Sequence, residues 1–379
     1  MQKQVKRPLD PLAGAVSRRA FLRTVTGGVA AATIGTTPAA GLCAEPQSAS
    51  PAKQSPDAPG KPFFKTRGVV LVPNDITTWP WVEKAEEAGL TTIGTHVVPD
   101  QVARFLETDK GQAFLEECRS RGIQVEHELH AMSALLPRKL FQKDPSMFRM
   151  DKDGNRTPVS NLCVHSKAAL EVVSENAVKY AKCLKSTTGR YFYWIDDGKP
   201  MCACPKCKGL SDSDQALIVE NAMVRELRRF DPRATLAHLS YARTLPAPIQ
   251  VKPDPNVFLE FAPIARKYET PFGTTPREKI WLEHLDANLE VFRAASAQIL
   301  EYWLDASMFF RATGRGGRRH RVPIPWNQEV FEADLAIYGK RGVRHITSFA
   351  VMVDGQYARQ FGDPPYMQYG RGLKNWRPA

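Results

Sequence analysis

The sequence lacks three features that would each have indicated a different class of protein. No apolar run reaches the length of about 20 residues that a membrane-spanning helix needs, and the weakly apolar stretch 25–34 is far too short. No glycine-rich nucleotide fingerprint follows the first predicted strand, which argues against a nucleotide-binding open sheet. No internal repeat is present either. We therefore expect no stable membrane span and no nucleotide-binding fold.

The first 44 residues predict an export signal rather than a folded element. Residues 17–22, SRRAFL, have the twin-arginine pattern, and residues 42–44 form a plausible cleavage site after Ala44. The alternative interpretation is a disordered basic tail. Residues 45–61, rich in Pro, Ser, Ala and Lys, predict a linker. The expected protein is periplasmic or secreted, and it uses the twin-arginine export machinery, which carries proteins that are already folded.

The remaining residues, 62–379, suit one large α/β domain. Removal of residues 1–44, which carry six Lys or Arg and one Asp, lowers the formal net charge from +12 to +7. This excess permits an anionic ligand without requiring one. Nucleic acid is not an expected partner, because the protein is predicted to be exported and no matching module is present.

Strand-like and helix-like segments alternate through residues 62–379. A long insertion, 133–166, follows the third strand. Such alternation is typical of parallel βα units, and eight units predict a closed (β/α)8 TIM-type barrel with its site at the carboxyl ends of the strands. An open doubly wound sheet is the alternative. The predicted strands are 68–72, 91–97, 124–130, one beginning at 191, 235–240, 256–261, 299–305 and 345–351.

Acidic, imidazole and aromatic residues stand where the predicted strands end. Alternation along strand seven would put Glu301, Trp303 and Asp305 on one face. The same rule groups Glu126, Glu128 and His130 on strand three. Such residues converging on one rim are typical of a sugar site. The full set is Glu128, His130, Trp194, Asp196, Asp197, Tyr241, Glu260, Glu301, Trp303 and Asp305.

Cleavage of a glycosidic bond needs one carboxylic acid that protonates the leaving oxygen and a second group opposite it. We expect Asp197, beside Asp196, to be the general acid, with Asp305 or Glu260 as the opposing group. The residues expected to position the sugar are His130, Trp194, Tyr241, Trp303, Glu128 and Glu301.

Two other functions fit the same residues. One is a carbohydrate-binding barrel without catalysis. The other is a metal-dependent hydrolase that uses Glu128 and His130, although few histidines stand at the rim. For any single carboxylate, a cap or an ion pair is an equally good explanation.

Three cysteines, Cys202, Cys204 and Cys207, lie within one short loop after strand four. Tetrahedral zinc requires four thiolates or imidazoles, and either Cys163 or His165 is available as the fourth. A structural zinc ion is one prediction. One or two disulfides are the competing interpretation, which an oxidising compartment favours.

An arginine-rich segment, 311–321, follows strand seven and is expected to lie over the barrel mouth. Its guanidinium groups, Arg318 among them, suit the recognition of a uronate, sulfate or phosphate group on the substrate. A flexible solvated loop is the alternative.

Residues 124–352 resemble the bacterial family called domain of unknown function 4838. The resemblance implies a glycoside-hydrolase-type barrel and a glycan ligand, without an established reaction. It also points to Cys163 together with Cys202, Cys204 and Cys207. The landmarks are His130 seven residues before Pro137, Arg156-Thr157-Pro158 before Leu162-Cys163, Asp197-Gly198 before the three cysteines, Tyr241 at the end of Leu-Ser-Tyr, and Trp303 and Phe309 before Pro325.

Overall fold

The computed structural model describes residues 61–312 and 319–378. Eight parallel strands close into a barrel, in which each strand neighbours the next one along the chain and the last pairs with the first. The predicted (β/α)8 TIM-type barrel is therefore confirmed. The barrel strands are β1 (Thr66–Leu71), β2 (Thr92–Val97), β3 (Gln124–His130), β4 (Arg190–Trp194), β5 (Thr235–Ser240), β6 (Val257–Phe261), β7 (Gln298–Glu301) and β10 (His345–Phe349), and a separate antiparallel pair is β8 (Phe310–Ala312) and β9 (Arg319–Arg321).

The helices of the described residues pack around this barrel, and none of them is long and apolar enough to cross a membrane. Their starts follow from local sequence: Ser211 and Thr275 each accept a hydrogen bond from a backbone N–H of the first helical turn. The helices are α1 (Pro73–Thr78), α2 (Trp81–Ala88), α3 (Pro99–Leu106), α4 (Asp109–Ser120), α5 (Met132–Leu135), α6 (Lys167–Cys183), α7 (Asp212–Phe230), α8 (Pro276–Val291), α9 (Gln328–Lys340), α10 (Gly355–Phe361) and α11 (Tyr366–Asn375).

Strand β7 ends four residues earlier than the sequence predicted. The chain turns after Glu301, with the backbone N–H of Asp305 donating to the carbonyl of Tyr302 at 3.0 Å. The Asp305 side chain then accepts the backbone N–H of Ser307 and so begins a short 3-10 helix. The grouping of Glu301, Trp303 and Asp305 on one strand face is therefore wrong.

The predicted insertion after β3 forms a compact layer at the carboxyl end of the barrel. It contains α5, two 3-10 turns and two antiparallel bridges, Phe148 with Leu162 and Met150 with Arg156. The backbone N–H of Ala203 donates to the carbonyl of Met150 at 2.9 Å. This contact joins the insertion to the loop that follows β4.

Candidate functional site

The mouth of the barrel is bordered by the residues that end β3 and follow β4 and β5. His130 ends β3, and its Nδ1 lies 2.8 Å from the carbonyl oxygen of Ile195. Tyr241 directly follows β5 and shares a narrow recess with His130 and Lys199. Two of the residues predicted to bind a sugar are thus close together at the mouth.

Asp197 and Asp196, adjacent in sequence, have different surroundings. Asp197 lies at the tip of β4, with 5 % of its surface exposed, immediately before a left-handed turn at Gly198 (φ +58°). Asp196 is fully buried, and its Oδ2 accepts the backbone N–H of Asn161 at 2.7 Å and the guanidinium of Arg138. Asp196 therefore connects the strand tip to the insertion, and this position does not fit its predicted catalytic role.

Glu260 lies in the sealed interior of the barrel, not at its mouth. The indole N–H of Trp194 donates to its Oε2 at 2.7 Å, and the Gln298 amide lies 3.1 Å from its Oε1 and 3.3 Å from Oε1 of Glu128. Burial raises the pKa of Glu260 to about 8, and burial together with the charge of Glu260 raises the pKa of Glu128.

This pair does not fit either carboxylate arrangement of glycosidases. Glycoside hydrolysis requires about 5 Å or more between two carboxyl groups that flank an accessible substrate. Glu128 and Glu260 are fully buried, and Trp194 above them is 1 % exposed. The predicted catalytic role of Glu260 and the predicted substrate contacts of Glu128 and Trp194 are therefore not supported by their positions.

Glu301 faces outward from the barrel, because Gln298 points inward and side chains alternate along β7. Its carboxylate lies 2.9 Å from Arg266, which also contacts Asp334 on α9 at 2.6 Å. The Trp303 indole donates to the same Asp334 at 3.0 Å. All four are buried, so Glu301 and Trp303 belong to a buried ion-pair network behind the barrel wall rather than to a sugar site. The sequence analysis did not anticipate Arg266 or Asp334.

Asp305 and Asp75 follow β7 and β1 at the mouth. Asp305 is fully buried, and its side chain holds the 3-10 turn described above. Asp75 accepts the backbone N–H groups of Val72 and Met352 at 3.3 and 3.2 Å. Burial raises the pKa of Asp75 to about 8, and the charges of Asp354 and Asp305 add to the increase. Asp354 and Asp305 therefore both lie near Asp75.

The floor of the mouth is a layer of aromatic rings contributed by β2, β3, β4, β10 and the residue that follows β7. Ring centroids lie 5.0 Å apart for His130 and Trp194, 4.9 Å for His96 and Phe349, and 5.2 Å for Tyr302 and Phe349. The sequence analysis missed His96. A Cβ atom on Gly94 of β2 would face Glu128 in the barrel interior. Residues two apart on a strand share a face, so this alternation predicts that His96 faces the interior as well.

The cysteine residues singled out in the sequence come together beside the mouth. The sulfur atoms of Cys163, Cys202, Cys204 and Cys207 all lie within 4.8 Å of one another and are buried. They are the candidate metal ligands among the described residues, and neither Glu128 nor His130 belongs to such a cluster there. The metal-dependent alternative built on those two residues therefore has no geometric support.

Three predictions fall on residues that the structure does not describe. Arg318 lies in the gap between β8 and β9, and the twin-arginine segment and nearly all of the linker precede residue 61. Arg321, at the end of the arginine-rich segment, is described by the structure. Its guanidinium lies 3.0 Å from the carboxylate of Asp354, which follows β10. This ion pair brings β9 next to the carboxyl end of β10.

The fold and the residues at its mouth define a (β/α)8 barrel with a polar carboxyl-end site and a four-cysteine cluster. Residues 81–308 match the family described as Domain of unknown function (DUF4838), and the chain belongs to that family. No curated protein matches the chain.

The solved structures that match the chain include two enzymes that cleave glycosidic bonds. A β-N-acetylhexosaminidase from Bacteroides fragilis is 12 % identical, with a TM-score of 0.48, over 84 % of this chain and 67 % of the other. The PbGH5A enzyme of glycoside hydrolase family 5 from Prevotella bryantii is 9 % identical, with a TM-score of 0.46, over 83 % and 97 %. At these identities the likeness concerns the fold, and the function must be argued from the chain's own residues.

Proposed function

We propose that this protein is an exported glycoside hydrolase that cleaves a glycan at the mouth of the barrel by carboxylate acid/base catalysis. The observation that carries the proposal is the placement of Asp197 and Asp305. They follow β4 and β7, which are three positions apart around the eight-stranded ring. Carboxylates that follow these two strands would lie on different sides of the barrel opening, as the pair that flanks a glycosidic bond must.

Asp197 is the proposed general acid and Asp305 the opposing carboxylate. The turn at Gly198 keeps Asp197 at the strand tip, and the hydrogen bonds from Ser307 hold one oxygen of Asp305. His130 and Tyr241 lie on the β3–β5 side, where their polar atoms would position sugar hydroxyls.

The substrate would include glycans with anionic groups. The net charge of +7 after removal of residues 1–44 is compatible with such a ligand. An ion pair with Asp354 brings Arg321, one of the basic residues of the arginine-rich segment, near the end of β10. The twin-arginine pattern at residues 17–22 supports export to the periplasm or beyond.

The test is release of reducing sugar from a panel of neutral and acidic glycans by the wild type and by Asp197→Asn. Loss of a general acid is expected to reduce turnover by about 10²–10⁴-fold. The matched control is Asp286→Asn, which alters an exposed ion pair with Arg341 on the outer surface and should retain full activity. Glycan binding without turnover in all three proteins would instead establish a non-catalytic carbohydrate-binding barrel.

A further inference from the structure

We propose that Cys163, Cys202, Cys204 and Cys207 bind one zinc ion as a tetrathiolate site. Four sulfur ligands at about 2.3 Å from a tetrahedral zinc ion lie about 3.8 Å from one another. The sulfur of Cys163 is 3.8 Å from that of Cys204 and 4.0 Å from that of Cys207. Because all six separations are within 4.8 Å, the four atoms have the size of one coordination shell.

A pair of disulfides fits this arrangement less well. Bonded sulfurs are about 2.05 Å apart, whereas here one cysteine is nearly equidistant from two others. All four cysteines have free thiols in the structure. A cluster in which each sulfur faces three others is the arrangement of a metal site, in which a single central ion contacts all of them.

Hydrogen-bond donors surround the sulfurs, as the negative charge of a tetrathiolate requires. The backbone N–H of Met150 donates to Cys202 at 3.3 Å, and the Arg156 guanidinium lies 3.8 Å from the same sulfur. Nδ1 of His165 lies 3.2 Å from the sulfur of Cys207. A zinc ion bound by four thiolates keeps a net charge of about −2, which these donors and the arginine offset. His165 thus acts on a ligand and is not the fourth ligand.

The site joins two segments that are distant in sequence. Cys163 ends the insertion after β3, and the other three cysteines belong to the loop after β4. A recess bordered by Arg156, His165 and Cys204 opens beside the cluster and offers a path for the ion. Zinc suits the site because soft thiolates and a tetrahedral shell are what this ion prefers.

The test is metal analysis of full-length protein purified from the cytoplasm without chelator. We expect about one zinc ion per chain, released when an organomercurial is added in excess over the seven cysteines of the chain, as a zinc-binding dye reports. Cys204→Ser and Cys163→Ser should retain less than about a tenth of that zinc. The matched control, Cys183→Ser, replaces an exposed cysteine outside the cluster and should retain all of it.

The zinc content of the wild type decides the question even where a variant fails to fold. A wild type without zinc, whose denatured form shows fewer free thiols before reduction than after it, would establish disulfides and overturn the proposal. One equivalent of iron in place of zinc would overturn it as well. Because the measurement needs no substrate, its outcome is independent of whether the barrel hydrolyses a glycan.

Discussion

Asp196 and Asn161 bind each other reciprocally across 35 residues of sequence. The backbone N–H of Asn161 donates to the Asp196 carboxylate at 2.7 Å, and the backbone N–H of Asp196 donates to the Asn161 side-chain oxygen at 3.0 Å. Asn161 adopts a left-handed conformation (φ 47°) at this contact. The pair joins the tip of β4 to the insertion, so one of two consecutive aspartates is structural while its neighbour remains at the mouth.

Substitutions at the two aspartates should therefore separate stability from activity. Asp196→Ala leaves buried N–H donors and the Arg138 guanidinium without their acceptor, and should lower the free energy of unfolding by about 2 kcal/mol. Asp197→Asn should cost less stability and remove turnover. Urea unfolding and sugar release measured on both variants check this. Equal losses of stability would show that the two side chains do not have separate roles.

Glu301→Gln should affect stability rather than substrate affinity. It removes one carboxylate from the buried network of Arg266, Glu301 and Asp334, at an expected cost of about 3 kcal/mol in the free energy of unfolding. The control Glu290→Gln, on the exposed face of α8, should change that free energy by less than about 0.5 kcal/mol. A raised KM with an unchanged free energy of unfolding would show that Glu301 contacts the substrate.

Asp75 should make the protein less stable as the pH rises. Its carboxyl pKa is about 8 when folded and near 3.8 when exposed, so between these values the folded state keeps a proton that the unfolded state has lost. The resulting stabilisation is complete below about pH 4 and is lost as the pH rises through about 8.

The neutral variant Asp75→Asn lacks this dependence while an amide oxygen can still accept the two backbone N–H groups. The free energy of unfolding of the variant, compared with that of the wild type, should therefore improve between pH 5 and pH 8.5. Urea titrations at both pH values give the difference, with Asp286→Asn as the control whose difference stays constant. If the free energies of unfolding of Asp75→Asn and the wild type changed equally between the two pH values, the raised pKa of Asp75 would be contradicted.

If the cysteine cluster binds zinc as proposed, removal of the ion should loosen the loop after β4 and the insertion without unfolding the barrel. The two segments meet at the cysteine cluster, while the eight strands are hydrogen-bonded independently of it. Limited proteolysis after chelation should therefore cut within 144–166 or 196–211 before any barrel strand. Cleavage that begins in the barrel strands would show that the cluster supports the whole fold.

The sequence predicted the barrel well because its signals are local. Strands β3 and β5 have the predicted bounds. Alternation of side chains and β-branched or aromatic residues indicate the two-residue repeat of a strand directly. Strand β7 was extended too far because the hydrophobic run continues past Glu301. The turn there depends on the hydrogen bond between Asp305 and Ser307, which has no strong signal in residue type.

The site was harder to predict because a carboxylate has the same appearance in sequence whether it serves as an acid, a cap or half of an ion pair. Glu260 and Glu301 both stand near strand ends. One is enclosed by Trp194 and Gln298, and the other is paired with Arg266. The partner residues come from elements up to 66 positions away, and no spacing rule relates them.

The amino-acid sequence by itself determined the eight βα units, the insertion after β3 and the four cysteines, because periodicity and residue type carry that information within short windows. The tertiary structure alone decided which acids stay at the mouth. Barrel closure directs alternate side chains inward or outward, and this direction buries Glu128 and Glu260 in the interior, places Glu301 behind the wall and holds Asp196 against the insertion. Asp197 and Asp305 are the proposed pair because they follow β4 and β7, which lie on different sides of the barrel.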